Sequence, residues 1–464
     1  MHSEPNHTVR PEGRPGSLLI LAVLALVGGA AAGLIGAVFR LALDQADGFR
    51  DMLIARAHDA KLAGFLFVIA ATAGAVAIAA WLVRRFSPPA AGSGIPHVEA
   101  VLNGELPPAP IRLIPVKFFG GLLAIGAGLA LGREGPIVQM GATMADVVGR
   151  VFGRRWSDRR ALLAAGAGAG LAIAFNAPIA GAVFVLEELV RRFDTRIAIT
   201  ALAASATAIL VARLFLGDAP DFHVVIAASA TIATGPLAYA SAATWPLYVV
   251  LGVLAGFLAV LYNYALLGAI SLTDRLDRWP VELRAGVIGA AVGIFAWFAP
   301  ELVGGGDQIT QRTLAGGGVT VALIPLAFLL RFALGAVSYA AATPGGLFAP
   351  MLVLGAQLGL FSGALCRTAF PDLGIQPEAF AVVGMAAFFS GVVQAPVTGI
   401  VLVIEMTAGF TTLLPMLAAC FAAMLVANLL GDAPIYESLR ERTVRHQQPE
   451  DLTRTAGAQS ENSR

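Results

Sequence analysis

Long apolar runs limit this chain to very few folds. They include Leu18 to Val38, Leu62 to Val83, Ile197 to Val211, Trp245 to Leu267 and Leu413 to Leu430. Most of them approach the roughly 20 residues that a helix needs to cross a bilayer. Only 13% of the residues are charged, against about 25% in soluble domains. Because backbone polar groups in lipid must be satisfied within the chain, we predict an all-α polytopic membrane protein. Gly and Pro inside several runs predict broken and tilted helices.

The distribution of basic residues predicts the orientation of the chain. Cytoplasmic loops of membrane proteins are enriched in Lys and Arg, whereas the segment 216–244 carries Asp218, Asp221 and His223 and has no Lys or Arg. The arginine clusters lie at 10–14, 84–85, 150–160, 191–196, 275–284 and 440–445. We therefore expect an inner-membrane protein with both termini inside. Its segments would be cytoplasmic tails at 1–15 and 441–464, transmembrane repeats at 16–215 and 245–440, and an external linker at 216–244.

The two halves of the chain resemble each other. "APIAGAVFVLE" from Ala177 to Glu187 aligns with "APVTGIVLVIE" from Ala395 to Glu405. Upstream, "PIVQMGA" at 136–142 aligns with "PMLVLGA" at 350–356 at nearly the same spacing. With an external linker and internal termini, the two repeats would have inverted topology. Inverted repeats with broken helices place the substrate site between the halves, near the middle of the membrane.

Four stretches rich in glycine and proline interrupt the apolar pattern. They are "GSGIP" at Gly92 to Pro96, "GREGP" at Gly132 to Pro136, "GGLFAP" at Gly345 to Pro350 and "DAPIY" at Asp432 to Tyr436. Each resembles a helix start, because Gly permits a sharp turn and Pro is tolerated in the first helical turn. In lipid, a helix end must line a cavity or meet a ligand. Its free N–H groups and the helix dipole attract anions, so the substrate is expected to be anionic.

Two hydroxyl groups accompany these helix starts. Ser93 and Tyr436 can each donate a hydrogen bond to a small halide, which needs a few neutral donors and not a buried cation that would hold it too tightly. Taken singly, a capping serine and an interfacial tyrosine would be the commoner roles. Their occurrence together with glycine-rich helix starts favours an anion site.

The motifs taken together resemble the CLC chloride channel and transporter family. They include "VKFFGG" at Val116 to Gly121 and "AFNAP" at Ala174 to Pro178, and the match runs in order from about Ser17 to Leu439. The resemblance implies a homodimer with one anion pathway in each subunit. It also implies that Ser93, the backbone amides of Leu347 and Phe348, and the hydroxyl of Tyr436 bind chloride. The motifs of the anion-selectivity filter would comprise Gly92, Ser93, Gly94, Ile95, Pro96, Gly132, Arg133, Glu134, Gly135, Pro136, Gly346, Leu347, Phe348, Ala349 and Pro350.

Glu134 lies on the second of these helix starts. An ionised carboxylate there can occupy the anion position, and a protonated one must leave it. Chloride and proton binding would then be coupled reciprocally. An ion pair with the adjacent Arg133 is the weaker interpretation, because sequence neighbours on a helix do not face each other. The resemblance implies that Glu134 is the external gating glutamate.

Glu187 and Glu188 close the helix that begins near Ala177. Spacing alone favours a solvated helix end with salt bridges to Arg191 and Arg192. The resemblance adds that transporting members usually have an acid at the position of Glu188 to pass protons to the cytoplasm, whereas channels have an apolar residue. Glu188 therefore favours proton-coupled exchange.

Four other ionisable residues lie in the apolar region, and most of them are expected to have structural roles. Lys117 and Glu99 are expected to form a neutralising ion pair, because an unpaired buried charge is costly. Glu405, the repeat mate of Glu187, is expected to be structural. His97 stands where a bacterial relative of the resembled family has an acid, and either a proton relay or a solvent-facing ring fits it.

Several function classes are disfavoured. A net charge of +1 without a basic block argues against nucleic acid, and Cys366 and Cys420 lack the spacing of a metal or redox site. Motifs for ATP binding or hydrolysis are missing, and too few residues follow Tyr436 for nucleotide-binding regulatory domains. We expect no cofactor, no metal and no catalytic residues, with chloride and protons as substrates. The predicted function is H⁺/Cl⁻ antiport; a gated chloride channel is the alternative, and a membrane enzyme or scaffold is a third.

Overall fold

The computed structural model describes residues 15–218, 221–222, 242–315 and 320–445. In this part of the chain there are helices and connecting turns but no β-strand. The α-helices are α1 (Pro15–Asp59), α2 (Lys61–Phe86), α3 (Ile95–Leu102), α4 (Leu113–Gly126), α5 (Glu134–Val151), α6 (Trp156–Phe175), α7 (Pro178–Phe184), α8 (Thr195–Leu216), α9 (Trp245–Asp274), α10 (Val281–Phe298), α11 (Asp307–Leu314), α12 (Ile324–Tyr339), α13 (Phe348–Ala369), α14 (Pro377–Val393), α15 (Pro396–Thr407), α16 (Leu413–Leu429) and α17 (435–445).

The predicted class of an all-helical polytopic membrane protein is confirmed. Seven of the described helices are long and apolar enough to cross a bilayer, and each predicted apolar run falls on a helix. Large apolar side chains such as Leu66, Leu214 and Leu261 are exposed on these helices, as expected where lipid is the solvent. By contrast, α3 and α7 have 8 and 7 residues, too short to span. These are the broken helices that the glycines and prolines predict.

Close helix contacts at glycine repeat in the two halves. Gly141 of α5 packs directly on the backbone of Gly166 in α6, and Gly355 of α13 packs in the same way on Gly384 in α14. Gly141 and Gly355 are the same position in the two aligned sequence blocks. A side chain at any of these positions would overlap the facing carbonyl, so glycine allows the close backbone approach that membrane helices use in place of hydrophobic burial.

The helices α7 and α15 are bound to each other by exchanged carboxylates. Glu187, in the π-helical turn that continues α7, accepts hydrogen bonds from the backbone N–H groups of Val397 and Thr398 at 3.0 and 2.6 Å. Glu405 of α15 accepts from two consecutive N–H groups in the first turn of α7, at 3.1 and 2.7 Å. Each helix therefore caps the start of the other, which requires an antiparallel arrangement and agrees with inverted repeats. The structural role expected for Glu405 is confirmed.

Sidedness and domain boundaries stay predictions. Most of the proposed linker 216–244, including His223, lies outside the described residues, and so do residues 1–14 and 446–464 of the proposed tails. Residues 441–445, assigned to the second tail by sequence, continue α17.

Candidate anion-binding site

Three of the predicted helix starts meet in the middle of the protein. The loop before α3 and the loop before α13 are joined by hydrogen bonds from Gly92 N to Thr343 O and from Gly345 N to Gly92 O, each 3.1 Å. The loop before α5 joins the same group, because Gly132 and Gly346 exchange backbone hydrogen bonds of 2.9 and 2.7 Å. The N-termini of α3, α5 and α13 are thus brought together from both repeats, although their motifs are far apart in sequence.

Glu134 points its carboxylate at the start of α13. The residue is fully buried, and its Oε1 accepts a hydrogen bond of 2.7 Å from the backbone N–H of Phe348. The other oxygen, Oε2, is buried and has no hydrogen-bond partner among the described residues. Gly132 and Gly346 enclose the carboxylate so closely that a Cβ atom at either position would overlap it. An anionic group therefore fits this helix end, and glycine is needed to make room for it.

The hydroxyl groups of Ser93 and Tyr436 lie at the same place. Both side chains are buried, at 1% and 0% exposure; the two hydroxyls are neighbours, and neither forms a hydrogen bond of standard length and angle within the described part of the chain. The ring of Tyr436 is 5.7 Å from that of Phe348. Ser93 also packs against Gly135, where a Cβ atom would meet the serine backbone and hydroxyl. Two unused buried donors beside a helix start are the groups that a small anion would satisfy.

Other members of the predicted filter shape the helix starts. Gly94 has φ of 87° before α3, a left-handed conformation that permits the sharp turn, while Ile95 and Pro96 form the first turn. Pro136 and Pro350 occupy the first turns of α5 and α13. Leu347 precedes α13, and its side chain and that of Ala349 are buried.

Aromatic side chains hold Phe348 from several directions, a feature that the sequence reasoning missed. The ring of Phe389 in α14 lies 4.7 Å away and nearly perpendicular, and the rings of Phe184 and Phe175 lie 5.7 and 6.1 Å away. Such packing fixes the backbone of the residue whose N–H meets Glu134. In the sequence, only Phe175 in the "AFNAP" motif pointed to an aromatic side chain at this site.

Arg133 does not pair with its neighbour Glu134, as predicted. Its guanidinium forms ion pairs with Asp221 at 3.1 Å and Asp307 at 3.2 Å, and its Nε donates to the carbonyl of Ala174 at 3.0 Å. Asp307 lines a cavity of about 490 Å³, into which Arg133 also opens. In the sequence, Asp221 served only to predict the orientation of the chain, and no motif pointed to Asp307.

Glu188 lies in a different environment. The residue is 3% exposed in the π-helical turn Val185–Leu189, and the guanidinium of Arg191 lies 3.8 Å from its Oε1. It borders an open cavity of about 570 Å³. A second cavity, of about 360 Å³, is bordered by Ser93 and His97 and leads to Arg442. Glu188 is therefore buried and does not form the solvated helix end that spacing alone favours, although Arg191 lies near it at the expected i,i+3 spacing.

The predicted ion pair between Lys117 and Glu99 is wrong. Lys117 is fully buried, and its Nζ donates to the backbone carbonyls of Ala90 and Gly92 at 3.0 and 2.8 Å. Glu99 lies within 3.6 Å of both Arg191 and Arg440. The short helix α3 turns Glu99 away from α4 and toward α17, so that each charge finds other partners.

Among the described residues, no group of His, Cys, Asp and Glu could hold a metal ion. Cys420 is buried, Cys366 is half-buried, and both are free thiols. His97 is 6% exposed, lies in the first turn of α3 and lines the cavity that Ser93 also borders.

Comparison with known proteins identifies the family. The model of the voltage gated chloride channel family matches residues 73–428. This chain belongs to the CLC family. It is 38% identical to the H(+)/Cl(-) exchange transporter ClcA of Vibrio cholerae serotype O1 over 454 residues, which are 96% of this chain and 94% of the relative. It is 36% identical to ClcA of Cronobacter sakazakii over 445 residues, covering 95% and 93% of the two chains.

A solved CLC structure has the same fold. A slow cyanobacterial Cl-/H+ antiporter superposes with a TM-score of 0.85 at 32% sequence identity, covering 94% of this chain and all of the other. The predicted membership of the CLC family is therefore confirmed, and with it the architecture of a multi-pass membrane transporter family.

Proposed function

We propose that this CLC protein is a secondary-active antiporter that exchanges chloride for protons. The observation that carries the proposal is the carboxylate of Glu134, which accepts a hydrogen bond from Phe348 N at the start of α13 while its second oxygen has no partner in the described chain. Relatives of high similarity are named H(+)/Cl(-) exchange transporters, and the cyanobacterial neighbour is described as a Cl-/H+ antiporter.

The exchange follows from competition for one set of donors. Ionised Glu134 occupies the α13 helix start as an intramolecular anion. When a proton binds the carboxylate, its attraction to the N–H of Phe348 falls, and chloride can take that donor. The backbone amide of Leu347 and the hydroxyls of Ser93 and Tyr436 complete the proposed chloride site. A proton on Glu134 favours the binding of chloride, and bound chloride favours protonation of Glu134. Proton and chloride occupancy are therefore linked in both directions.

Glu188 is proposed as the internal proton carrier. It borders a cavity different from the one beside Ser93, so protons and chloride would reach the interior by separate openings. The hydrogen-bonded acids Glu187 and Glu405 are not assigned a transport role, since both of their carboxylates are engaged by helix starts.

The protein is proposed to act as a homodimer in the inner membrane, with both termini in the cytoplasm and one pathway in each subunit. The proposed exchange requires no cofactor or metal, and none of its steps makes or breaks a covalent bond other than that of the transferred proton. In this sense the protein is a transporter and not an enzyme.

Flux measurements in reconstituted vesicles test the proposal. An outward chloride gradient should drive protons inward against a pH gradient, and the reversal potential should depend on both ions. Chloride flow with a reversal potential set by chloride alone would identify a channel and end the antiport proposal. No anion flux at all would point to a membrane enzyme or scaffold.

A further inference from the structure

Asp221, in the segment that joins the two repeats, lies against the motif that carries Glu134. Its side chain is only 6% exposed; Oδ1 accepts a hydrogen bond of 2.8 Å from Arg40 and Oδ2 one of 3.1 Å from Arg133. The next residue, Phe222, is 3% exposed, and its N–H donates to the carbonyl of Met406 at 3.0 Å. This part of the linker is therefore anchored on α1, on the start of α5 and on the end of α15.

The two arginines need a shared counter-charge. Arg40 donates to the carbonyl of Ile173 at 2.8 Å, and Arg133 donates to the carbonyl of Ala174 at 3.0 Å. Both guanidinium groups are thus held at the end of α6, where they repel each other. Desolvated charges are stable only when they are paired, and Asp221 lies between these two and pairs with both.

The pairing of Arg133 matters because Arg133 directly precedes Glu134. A free cation at this position would stabilise the ionised carboxylate and hold it in the anion site. In the structure the cation is instead engaged by Asp221 and Asp307. We infer that Asp221 is a positioning residue: by binding Arg133 it keeps that cation from stabilising ionised Glu134, and it thereby sets the pH range of transport. The inference rests on the proposed function, since it requires Glu134 to exchange protons.

The other charged groups near this arrangement differ from Asp221 in exposure. Arg40 and Asp44 of α1, Asp307 of α11 and Tyr436 of α17 also face Arg133 or Glu134. The side chain of Asp307 is 39% exposed, and Asp44 is exposed as well. Water screens exposed charges far more than buried ones. Asp307 also acts on both Arg133 and Glu134, whereas the buried Asp221 is expected to affect Glu134 through its ion pair with Arg133.

The test compares Asp221→Asn with Asp218→Asn in the full-length protein. Asp218 belongs to the same segment and pairs with Arg213 at 3.5 Å, but its side chain is 83% exposed. Coupled proton and chloride flux would be measured against pH in vesicles. For Asp221→Asn, the pH of half-maximal transport should move in the acid direction by about one pH unit, with an unchanged proton-to-chloride ratio. Asp218→Asn should match the wild type, and Asp221→Glu should restore the wild-type profile.

A double variant separates this role from a loss of structure. If the freed cation causes the shift, Arg133→Gln and Arg133→Gln/Asp221→Asn should have the same pH profile. The inference is overturned if Asp221→Asn matches Asp218→Asn, or if its shift persists undiminished in the Arg133→Gln background. If Asp221→Asn does not elute as a folded protein in detergent, Arg40→Gln is the alternative test. This change removes one of the two cations that Asp221 binds, so that Asp221 pairs with Arg133 alone. The pH of half-maximal transport should then move in the alkaline direction, and an acid shift would contradict the inference. A wild type without coupled flux would defeat the proposed function and not this step alone.

Discussion

In the part of the chain that the structure describes, three glutamates place their carboxylates on helix starts, yet these carboxylates accept different numbers of hydrogen bonds. Glu187 and Glu405 cap α15 and α7, and in each case both oxygens accept a backbone N–H. Glu134 meets α13 through one oxygen, and its other oxygen is buried without a hydrogen-bond partner in the described chain. A carboxylate on a helix start thus gives two complete caps between the repeats, at Glu187 and Glu405, and one contact at Glu134 in which only one oxygen accepts a hydrogen bond.

The difference shows why only one of these acids is proposed to move. Removing a carboxylate that satisfies two N–H groups leaves both donors unpaired, and each unpaired buried donor costs about 1–3 kcal/mol. Removing the carboxylate of Glu134 frees one donor, beside two hydroxyls that are already without partners. An anion that satisfies all of these groups can therefore replace the side chain at little net cost. Glycine at 132 and 346 leaves the space in which the exchange can occur.

The largest effect is expected for Glu134→Gln. The neutral amide no longer competes with chloride as an anion and no longer carries a proton, so proton coupling should be lost while chloride flux continues. The proton-to-chloride ratio, measured by simultaneous pH and chloride recording in vesicles, should fall to the background of empty vesicles. Glu405→Gln is the matched control, since it changes another helix-capping glutamate and should keep the wild-type ratio. Unchanged proton transport in Glu134→Gln would remove this residue from the mechanism.

Glu188→Gln should have the next largest effect. A buried carboxyl that carries protons cannot be replaced by an amide, so proton flux should fall by about a hundredfold or more, in the range typical of a lost proton-transfer group, while chloride flux changes much less. The same vesicle recordings measure both. Glu187→Gln, one residue earlier, serves as the control. An equal loss of both fluxes would indicate that Glu188 supports folding.

A smaller effect is expected at the hydroxyl groups. Tyr436→Phe and Ser93→Ala each remove one neutral donor, worth about 1 kcal/mol, and this weakens chloride binding by about fivefold. Calorimetric titration of the purified protein with chloride would measure the change. A hydroxyl outside the site, Ser390, donates within its own helix to Ala386 at 2.7 Å, and Ser390→Ala should leave chloride affinity unchanged. Wild-type affinity in both Tyr436→Phe and Ser93→Ala would place the anion elsewhere.

The smallest effect on transport is expected where the contacts are complete. Glu405→Gln puts an amide group against one of the two N–H donors of α7, so the free energy of unfolding should fall by about 1 kcal/mol with no change in the proton-to-chloride ratio. Thermal unfolding in detergent measures the first quantity and vesicle flux the second. The proposed difference between Glu405 and Glu134 would be contradicted if Glu405→Gln altered the proton-to-chloride ratio while the free energy of unfolding stayed the same.

Much of the architecture follows from the sequence alone. Apolar run lengths and the scarcity of charge determine an all-helical membrane protein, since lipid leaves the backbone few alternatives. The repeated blocks at Ala177 and Ala395 predict two related halves, and Gly and Pro mark the starts of α3, α5 and α13. These properties depend on residues close together in the chain, so local physical rules are sufficient to find them.

The partners of the buried charges were decided by the tertiary structure. Arg133 meets Asp221 and Asp307, and Lys117 meets backbone carbonyls and not Glu99. The acceptor of a buried cation is whichever oxygen the helix packing brings within reach, and backbone carbonyls leave no mark in the sequence. The unpartnered oxygen of Glu134 is likewise a property of the assembled helix starts. Sequence determined which groups carry charge, and only packing decided which of them remain unsatisfied, because burial and distance arise from contacts between remote segments.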